Sequence, residues 1–389
     1  MKRILLTGIL VFIAAVLFGD PTREFYEEMY SVAPTAAEKY QVFQEAKNSN
    51  LPDAVDFYAW VLERVVVEYP NVRGNQNIEA ANEIMKDLAK FLGEAKHLPS
   101  AGYLWRAETA FLNPIVKAEI LVALGKMQAV DFLPHVIQVL NDMNAGRVSK
   151  NSQDRERVAF GAIVALENYS DPQGYLPVYL ASGGWYSETV KRQAATSLPK
   201  ISESPVEPLT ELIQSPSYPY NIKYEALQTI ENSPVSTGDK AEFAVAAYTG
   251  AWNASTENRI KERDLVRTRK LCISMINRYK TENTQVYPLL ERSYWEGKDE
   301  EERLNVLDAL ASLASEDSMR LLSSFTRDVN NKLRDGSLRQ KDERMIRALI
   351  SALGQTGRSD AEPALRSIRN TNWSSTVKRL ATDEIAKLQ

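Results

Sequence analysis

The chain has 389 residues, of which 44% are apolar, 25% are charged and 9% are aromatic. These ordinary globular proportions argue against a disordered chain, a collagen and a polytopic membrane protein. The single cysteine excludes an intramolecular disulfide, two histidines leave little for a His-based metal site, and a net charge of −4 gives no general attraction for nucleic acid.

Charge is distributed unevenly along the sequence. Acidic residues outnumber basic ones by 15 to 9 over residues 20–113 and by 16 to 11 over residues 114–258. Basic residues outnumber acidic ones by 25 to 20 over residues 259–389. The sequence therefore has an acidic N-terminal part and a mildly basic C-terminal part.

The segment from Met1 to Gly19 is typical of a secretory signal peptide. Met1-Lys2-Arg3 is a short basic start, an apolar run extends from Ile4 to Phe18, and Gly19 precedes a polar segment. The apolar run is shorter than the roughly 20 residues that cross a bilayer. We expect cleavage after Gly19 and export to the bacterial periplasm or beyond, since exported eukaryotic domains commonly contain disulfides. An uncleaved N-terminal anchor in the inner membrane is the alternative.

Residues 20–111 contain apolar stretches at helical spacing but no visible repeat. The pattern predicts four helices, with Pro52, Pro70 and Pro99 at their boundaries. We interpret this region as a divergent, acidic helical capping region continuous with the repeats that follow; a separate small helical domain is the alternative. The predicted helices extend from Thr35 to Asn48, Asp53 to Tyr69, Asn77 to Leu92 and Ala101 to Phe111.

One apolar pattern recurs eight times between Leu112 and the end of the chain. Its first copy is Val116-Lys-Ala-Glu-Ile-Leu-Val-Ala-Leu124. The period is uneven but stays within the range that is typical of arrays of helix pairs. Each copy predicts a helix, with small residues where a neighbouring helix approaches closely. The later copies start at Val158, Val190, Ile222, Thr268, Glu302, Met345 and Val377.

A proline follows five of these starts at a nearly constant distance and begins a second apolar stretch. Because proline is tolerated in the first turn of a helix, each unit is predicted to be a helix, a short turn and a second helix. The longer repeats have extra residues in three predicted polar loops. These are either functional insertions or extra length in a surface loop that has no function. The prolines are Pro134, Pro177, Pro208, Pro288 and Pro363, and the loops extend from Asn141 to Glu156, Gly250 to Asp264 and Asp328 to Lys341.

The unit resembles a HEAT-like repeat of the short bacterial variety related to phycobilisome-lyase repeats. In that family a V-[KR]-x-x-A-x-x-A-L-G helix leads into an A-V/E-x-P-x-L helix. Ala352-Leu353-Gly354 followed by Ala361-Glu-Pro-Ala-Leu365 matches this pattern best, and Ala123-Leu124-Gly125 followed by Val130-Asp-Phe-Leu-Pro134 is next. Over residues 112–389 the resemblance implies an all-α, right-handed α-solenoid of about eight stacked antiparallel helix pairs. Such repeats serve many partners, so it implies a binding scaffold without naming its partner.

Few residues are suited to catalysis. Only His97 and His135 supply imidazole; we expect the first at a helix end or turn and the second on a helix surface. Cys272 is expected to be a small buried apolar residue, and no phosphate-binding glycine loop is present. The acidic run at residues 299–302 is expected in a first helical turn, where carboxylates favour the helix dipole. We predict no enzymatic activity, no cofactor and no metal site.

Aromatic residues recur a few positions before several repeat starts. Phe111, Trp185, Tyr218 and Trp373 occupy this position, and Tyr186 follows Trp185. Since Trp and Tyr are common in interface hot spots, one hypothesis is an aromatic ridge that binds a partner. The alternative, which we favour, is that these side chains fill the space between successive units.

A basic face is predicted on the helix of the fifth copy. Arg259, Arg263, Arg267 and Lys270 recur at the spacing of one helical turn, and residues 259–280 contain eight basic and two acidic side chains. This face is either solvated or a docking surface for an acidic protein, anionic lipid headgroups or a cell-wall polymer. Export and the acidic balance argue against nucleic acid as a partner.

Together these patterns predict an exported, non-catalytic scaffold that binds a protein partner in the bacterial envelope. One alternative is an enzyme or enzyme-accessory protein similar to the chromophore lyases that share the repeat. Another is a module that contacts the membrane surface or cell wall through the basic face. The sequence leaves the oligomeric state open.

Overall fold

A computed structural model describes residues 22–49, 51–148, 152–254, 256–339 and 343–388. The signal-peptide prediction lies outside the described residues. Within these ranges the protein has twenty α-helices, five short 3-10 helices and no strand. The predicted all-α class is confirmed.

Ten helices belong to the first of two compact units, called unit 1, which ends at Glu203. The four helices predicted N-terminal to the repeats are present, with ends close to those expected. A further helix at the start was not predicted, because its sequence is rich in charge and only Tyr26 and Tyr30 are buried. The helices are α1 (Arg23–Val32), α2 (Ala36–Asn48), α3 (Ala54–Glu68), α4 (Asn75–Glu94), α5 (Ala101–Ala110), α6 (Pro114–Lys126), α7 (Leu133–Asn144), α8 (Ser152–Tyr169), α9 (Tyr175–Gly183) and α10 (Glu188–Ile201).

Unit 2 begins at Ser204 and contains the other ten helices. Its longest helix has 21 residues and carries the predicted basic face. The helices are α11 (Val206–Gln214), α12 (Tyr220–Asn232), α13 (Thr237–Asn253), α14 (Arg259–Tyr279), α15 (Val286–Glu296), α16 (Glu300–Leu313), α17 (Glu316–Arg334), α18 (Arg344–Gln355), α19 (Glu362–Arg369) and α20 (Ser375–Leu388).

The repeat copies and their prolines lie where the sequence predicts. All eight copies start on even-numbered helices, from α6 to α20, and the five prolines lie in the first turns of α7, α9, α11, α15 and α19. In the two repeats that lack this proline, a serine precedes the second helix instead. Ser236 and Ser315 cap α13 and α17 by accepting backbone N–H bonds from Asp239 and Ser318.

The three predicted polar loops are shorter than expected. Helices extend into all three: α7 continues to Asn144 and α8 begins at Ser152, α13 continues to Asn253 and α14 begins at Arg259, and α17 continues to Arg334. The prediction was wrong for the residues that these helices include; Arg, Lys and Glu are good helix formers and account for the extension over residues 152–156, 259–264 and 328–334.

Most helices pack both against the next helix and against the helix two positions further along their unit. In unit 1, α4 packs on α6, α6 on α8 and α8 on α10. In unit 2, α12, α14, α16, α18 and α20 pack in succession, and so do α11, α13, α15, α17 and α19. The even-numbered helices therefore form one series in each unit, and the odd-numbered helices form a second series in unit 2, an arrangement in which each helix pair buries its apolar face against its neighbours.

Small residues allow the even-numbered helices of unit 1 to approach closely. A Cβ atom on Gly125 of α6 would lie 2.6 Å from the Cα atom of Ala165 in α8. A Cβ atom on Gly161 of α8 would lie 2.6 Å from the Cα atom of Ala118 in α6. The expected role of small residues at this position is confirmed.

The α4–α5 pair has the same features, although no repeat is visible in its sequence. A Cβ atom on Gly93 of α4 would lie 2.8 Å from the Cα atom of Ala123 in α6. After α4 and α6, Lys96 and Gln128 both have a φ of 52°. Each positive φ ends a helix and is followed by a 3-10 turn at Leu98–Ser100 or Val130–Phe132. The series of similar pairs in unit 1 therefore begins before Leu112.

Substitution of the close-packed glycines tests this packing. We expect Gly125→Ala and Gly161→Ala each to lower the free energy of unfolding by about 1–3 kcal/mol, because α6 and α8 must separate to admit a Cβ atom. Urea unfolding followed by circular dichroism measures the change. Gly102→Ala in α5 is the matched control, since a Cβ atom there meets nothing within 4 Å. Equal stability of Gly125→Ala and Gly102→Ala would contradict the close approach.

Candidate functional site

A cleft of about 500 Å³ lies within unit 2, among α11, α12, α13 and the residue that precedes α15. The bend between α11 and α12, with Pro216, forms one side, and the C-terminal half of α13 forms another. Its volume lies within the range of small-ligand sites, roughly 300–1,000 Å³. The lining residues are Ile213, Gln214, Pro216, Tyr220, Lys223, Ala246, Thr249, Gly250, Asn253, Ala254 and Gln285.

Of the residues that the structure describes, Lys223 is the only charged one that lines this cleft. Its Nζ atom donates a hydrogen bond to the carbonyl oxygen of Ile213 in α11, at 2.9 Å. The side chain is half-buried, and this desolvation lowers the pKa of the Lys223 ammonium. Among the described residues it forms no ion pair. The cleft therefore presents one cation surrounded by neutral polar and apolar groups.

A smaller cavity continues the cleft between α12, α13 and α14. It shares Ile213, Tyr220 and Lys223 with the larger cleft and is closed by Leu265 and Thr268 of α14. Gly250 also lines both spaces. The helix that carries the predicted basic face thus also contributes to the inner part of the cleft.

A buried polar cluster joins the next helices of unit 2. The Arg269 guanidinium on α14 donates two hydrogen bonds to the Glu302 carboxylate on α16, at 2.7 and 3.2 Å. Both side chains are almost completely buried. The Ser293 hydroxyl on α15 donates to Glu302 at 2.8 Å and accepts from Tyr248 and Trp252 of α13. The ion pair is therefore satisfied within the protein, and this cluster links four helices.

This cluster was not predicted from the sequence. The structure confirms the acidic run as a helix start, with the Asp299 side chain accepting N–H bonds from Glu301 and Glu302. The buried carboxylate was not foreseen, although Glu302 begins its repeat copy where six other copies begin with Val, Ile or Met. A carboxylate at a repeat position that is apolar in six of the seven other copies was the available indication. Its partner was not visible, because Arg269 lies 33 residues away.

The aromatic-ridge hypothesis is wrong for Tyr186 and Trp373. Trp373 is only 2% exposed, and its indole N–H donates to the Asn330 side chain at 2.8 Å. Tyr186 is buried and donates its hydroxyl proton to the Asn144 side chain at 2.8 Å. In both cases the aromatic residue reaches back to the C-terminal part of an earlier odd-numbered helix. These two side chains fill the space between helices instead of facing a partner.

The other aromatic positions differ in exposure. Phe111 is buried and stacks on Tyr69, with ring centroids 3.6 Å apart. Trp185 is half-buried and donates its indole N–H to the carbonyl of Met143 at 3.1 Å. Tyr218 is half-buried in the bend before α12. Trp185 and Tyr218 therefore keep a partly accessible surface, whereas Phe111, Tyr186 and Trp373 are buried.

The basic face is divided into an exposed and a paired part. Arg259, Arg263 and Arg267 are exposed on α14, although Arg267 lies 3.9 Å from the Asp264 carboxylate and over the Tyr224 ring. Ile260 beside them is 65% exposed. Lys270 is half-buried and forms an ion pair with Glu301 at the start of α16. Three of the four predicted basic residues thus remain accessible to a partner.

The residues considered for catalysis lie where the sequence predicts. His97 is in a turn, where its Nδ1 atom is 2.8 Å from the Ser100 hydroxyl, and His135 is exposed on α7. Cys272 is completely buried, which raises the pKa of its thiol. In the described part of the chain, no three His, Cys, Asp or Glu residues are grouped so that they would hold a metal ion.

No protein-family model matches the sequence, and no curated protein matches it significantly. None of the helices in the described ranges is both long enough and apolar enough to span a membrane.

Substitution of two neighbouring glutamates, one buried and one exposed, tests whether the ion pair is buried. We expect Glu302→Gln to lower the free energy of unfolding by about 3–5 kcal/mol, because it leaves the Arg269 charge buried without a counterion. Glu301→Gln is the matched control and should cost about 0–1 kcal/mol, since its pair with Lys270 is exposed. Urea unfolding measures both. A small effect of Glu302→Gln would show that the Arg269 charge is not buried in solution.

The packing role of Trp373 has a separate test. Trp373→Ala should lower the free energy of unfolding by about 3–5 kcal/mol, because it removes a large buried side chain and leaves the Asn330 amide without its donor. Leu112→Ala is the control, since Leu112 is 84% exposed. Thermal unfolding by circular dichroism compares the two variants. Equal midpoints would contradict the packing interpretation of Trp373.

Proposed function

We propose that this chain is a HEAT-like helical-repeat scaffold that is exported to the bacterial envelope and binds a protein partner there. The observation that carries the proposal is the recurrence of one helix-pair pattern in sequence and in packing. Eight copies start on successive even-numbered helices, with a proline or a capping serine at the start of each following helix. Such arrays are commonly used to hold other proteins.

We propose that the helix pairs continue as a right-handed α-solenoid. The packing of each even-numbered helix on the next even-numbered helix, found separately in unit 1 and in unit 2, supports this arrangement. A stack of this kind offers a long surface made of equivalent positions on successive helices. A protein partner is suited to such a surface because its contacts are spread over several repeats.

A non-catalytic role agrees with the chemistry of the polar groups that the structure describes. The Arg269–Glu302 cluster is closed off from solvent and satisfied by its own hydrogen bonds. Lys223 lines the cleft without a carboxylate or imidazole beside it that would act as a base. Both groups are therefore better suited to packing and binding than to turnover.

Capture from the bacterial envelope tests the proposed scaffold role. We expect the tagged full-length chain, crosslinked in cells, to retain a protein that then forms a stoichiometric complex with the purified chain in sedimentation-velocity experiments. The same chain carrying Gly125→Ala and Gly161→Ala is a suitable comparison, because disturbed packing of α6 and α8 should weaken binding along the array. A purified chain that turns over an envelope substrate, and loses turnover on substitution of a cleft residue, would contradict the non-catalytic role.

Export is tested by the mass of the chain recovered from the cell envelope. We expect a chain that begins at Asp20, since the signal peptide would be removed after Gly19. Intact-mass spectrometry distinguishes this product from a chain that begins at Met1. Recovery of the uncleaved chain in the membrane fraction would instead support the N-terminal anchor.

A second candidate function is contact with an anionic membrane surface through α14. The exposed Arg259, Arg263 and Arg267, together with the exposed Ile260, favour it. If this is correct, changing the three arginines to glutamate should abolish co-sedimentation with phosphatidylglycerol vesicles. A control with the same charge change on other exposed residues, Arg369→Glu, Arg379→Glu and Lys387→Glu, should still bind. Equal sedimentation of both triple variants would dismiss this function.

A further inference from the structure

Two lysines at the same repeat position have different partners. Lys117 and Lys223 are each the second residue of a repeat copy, after Val116 and Ile222. Each donates to a backbone carbonyl in the last turn of the preceding helix. Lys117 bonds to the carbonyl of Glu108 at the end of α5, as Lys223 bonds to the carbonyl of Ile213 at the end of α11. The hydrogen bond from the lysine to the preceding helix is therefore present in both pairs of helices.

The difference lies in the carboxylate. The Lys117 ammonium also pairs with the buried side chain of Glu108, at 3.0 Å. In α11 the residue that supplies the carbonyl is Ile213, which has no carboxylate, and Lys223 forms no ion pair among the described residues. The 500 Å³ cleft lies beside this ammonium. Unit 2 thus has a half-buried cation and an open space where unit 1 has a lysine–glutamate pair.

The groups around Lys223 are suited to a peptide. Gln214, Asn253 and Gln285 provide amides that both donate and accept hydrogen bonds, as a peptide backbone requires. Small apolar residues also line the cleft, and none of its described lining residues is acidic. A ligand carboxylate would therefore meet a desolvated cation without repulsion from the walls. The small apolar residues are Pro216, Ala246 and Ala254.

We propose that this cleft binds a carboxylate carried by a peptide segment of the partner, which takes the place that the Glu108 side chain has beside Lys117. The assignment rests on the proposed function, because it names the partner chemistry that the scaffold recognises. Lys223 supplies the charge, and the amides at the rim bind the peptide backbone. The carboxylate belongs either to the C-terminus of the segment or to an Asp or Glu side chain.

The test uses full-length protein labelled with ¹³C at the alanine methyl groups, because Ala246 and Ala254 line the cleft. Three acetylated tripeptides are titrated: Ala-Ala-Ala with a free C-terminus, Ala-Glu-Ala amide and Ala-Gln-Ala amide. We expect saturable shifts of the two alanine methyl signals with one or both carboxylate peptides and none with the neutral peptide. The first two peptides distinguish a C-terminal carboxylate from a side-chain carboxylate.

Four variants separate charge from folding. Lys223→Gln should weaken carboxylate-peptide binding by about tenfold or more, whereas Lys223→Arg should retain it because it keeps the cation. Gln214→Glu places a competing carboxylate at an exposed position of the cleft and should also weaken binding. Lys117→Gln is the matched control and should leave binding unchanged. Circular dichroism of every variant confirms that it is folded.

Three results would overturn the assignment: no shift of the cleft methyl groups, equal binding of the neutral peptide, or unchanged binding by folded Lys223→Gln. These results differ from a failure of the proposed function. If a captured protein partner binds Lys223→Gln as tightly as the unchanged chain, the scaffold role stands and the cleft assignment fails. If the carboxylate peptides bind as expected but capture retains no protein, the carboxylate specificity of the cleft stands, whereas the scaffold role and the assignment of the peptide to a partner fail.

Discussion

The close approach of successive even-numbered helices is the constraint on which the unit 1 repeats depend. Gly125 and Gly161 leave no room for a side chain between α6 and α8, so the two helices contact each other almost through their backbones. This contact fixes how far one helix is shifted along the other. The turn after each helix and the proline in the next helix then place the odd-numbered helix, whose apolar face covers the remaining side. One local contact therefore determines the geometry of a whole pair.

Unit 2 adds a polar contact to the same packing scheme. Around Arg269 and Glu302, hydrogen bonds connect α13, α14, α15 and α16. A buried ion pair contributes little net stability compared with apolar packing, but any arrangement that separates its partners is strongly disfavoured. We interpret the cluster as a device that specifies how these four helices fit together. In the neighbouring cleft, Lys223 supplies a cation, but no described carboxylate pairs with it. This missing partner distinguishes the proposed binding site from a packing contact.

The sequence predicted the periodic features well because they are local. Spacing along the chain alone predicts the positions of the helices, the prolines in their first turns and the small residue Gly125. Trp373 also recurs with the repeat, but whether it faces solvent or a neighbouring helix depends on Asn330, 43 residues away. The Lys223 cleft was not predicted for the same reason. It forms because Ile213 has no carboxylate to pair with Lys223 and because space remains between three helices. Neither feature produces a periodic pattern in the sequence.

The central claim, that the chain is built of interchangeable helix pairs, is tested most directly by removing one pair. Deletion of residues 158–189 removes one full repeat, since it extends from the start of the copy at Val158 to the residue before the copy at Val190. When this deletion is combined with Gln193→Gly, which restores the small residue that Gly161 places against α6, the account predicts a helical protein that still unfolds cooperatively, because α6 would pack on the α10 segment in place of α8. Deletion of residues 174–189 alone, which breaks the pairing of helices, should abolish cooperative unfolding measured by circular dichroism. Loss of cooperative folding in the 158–189 deletion, or its retention in both deletions, would contradict the repeat architecture.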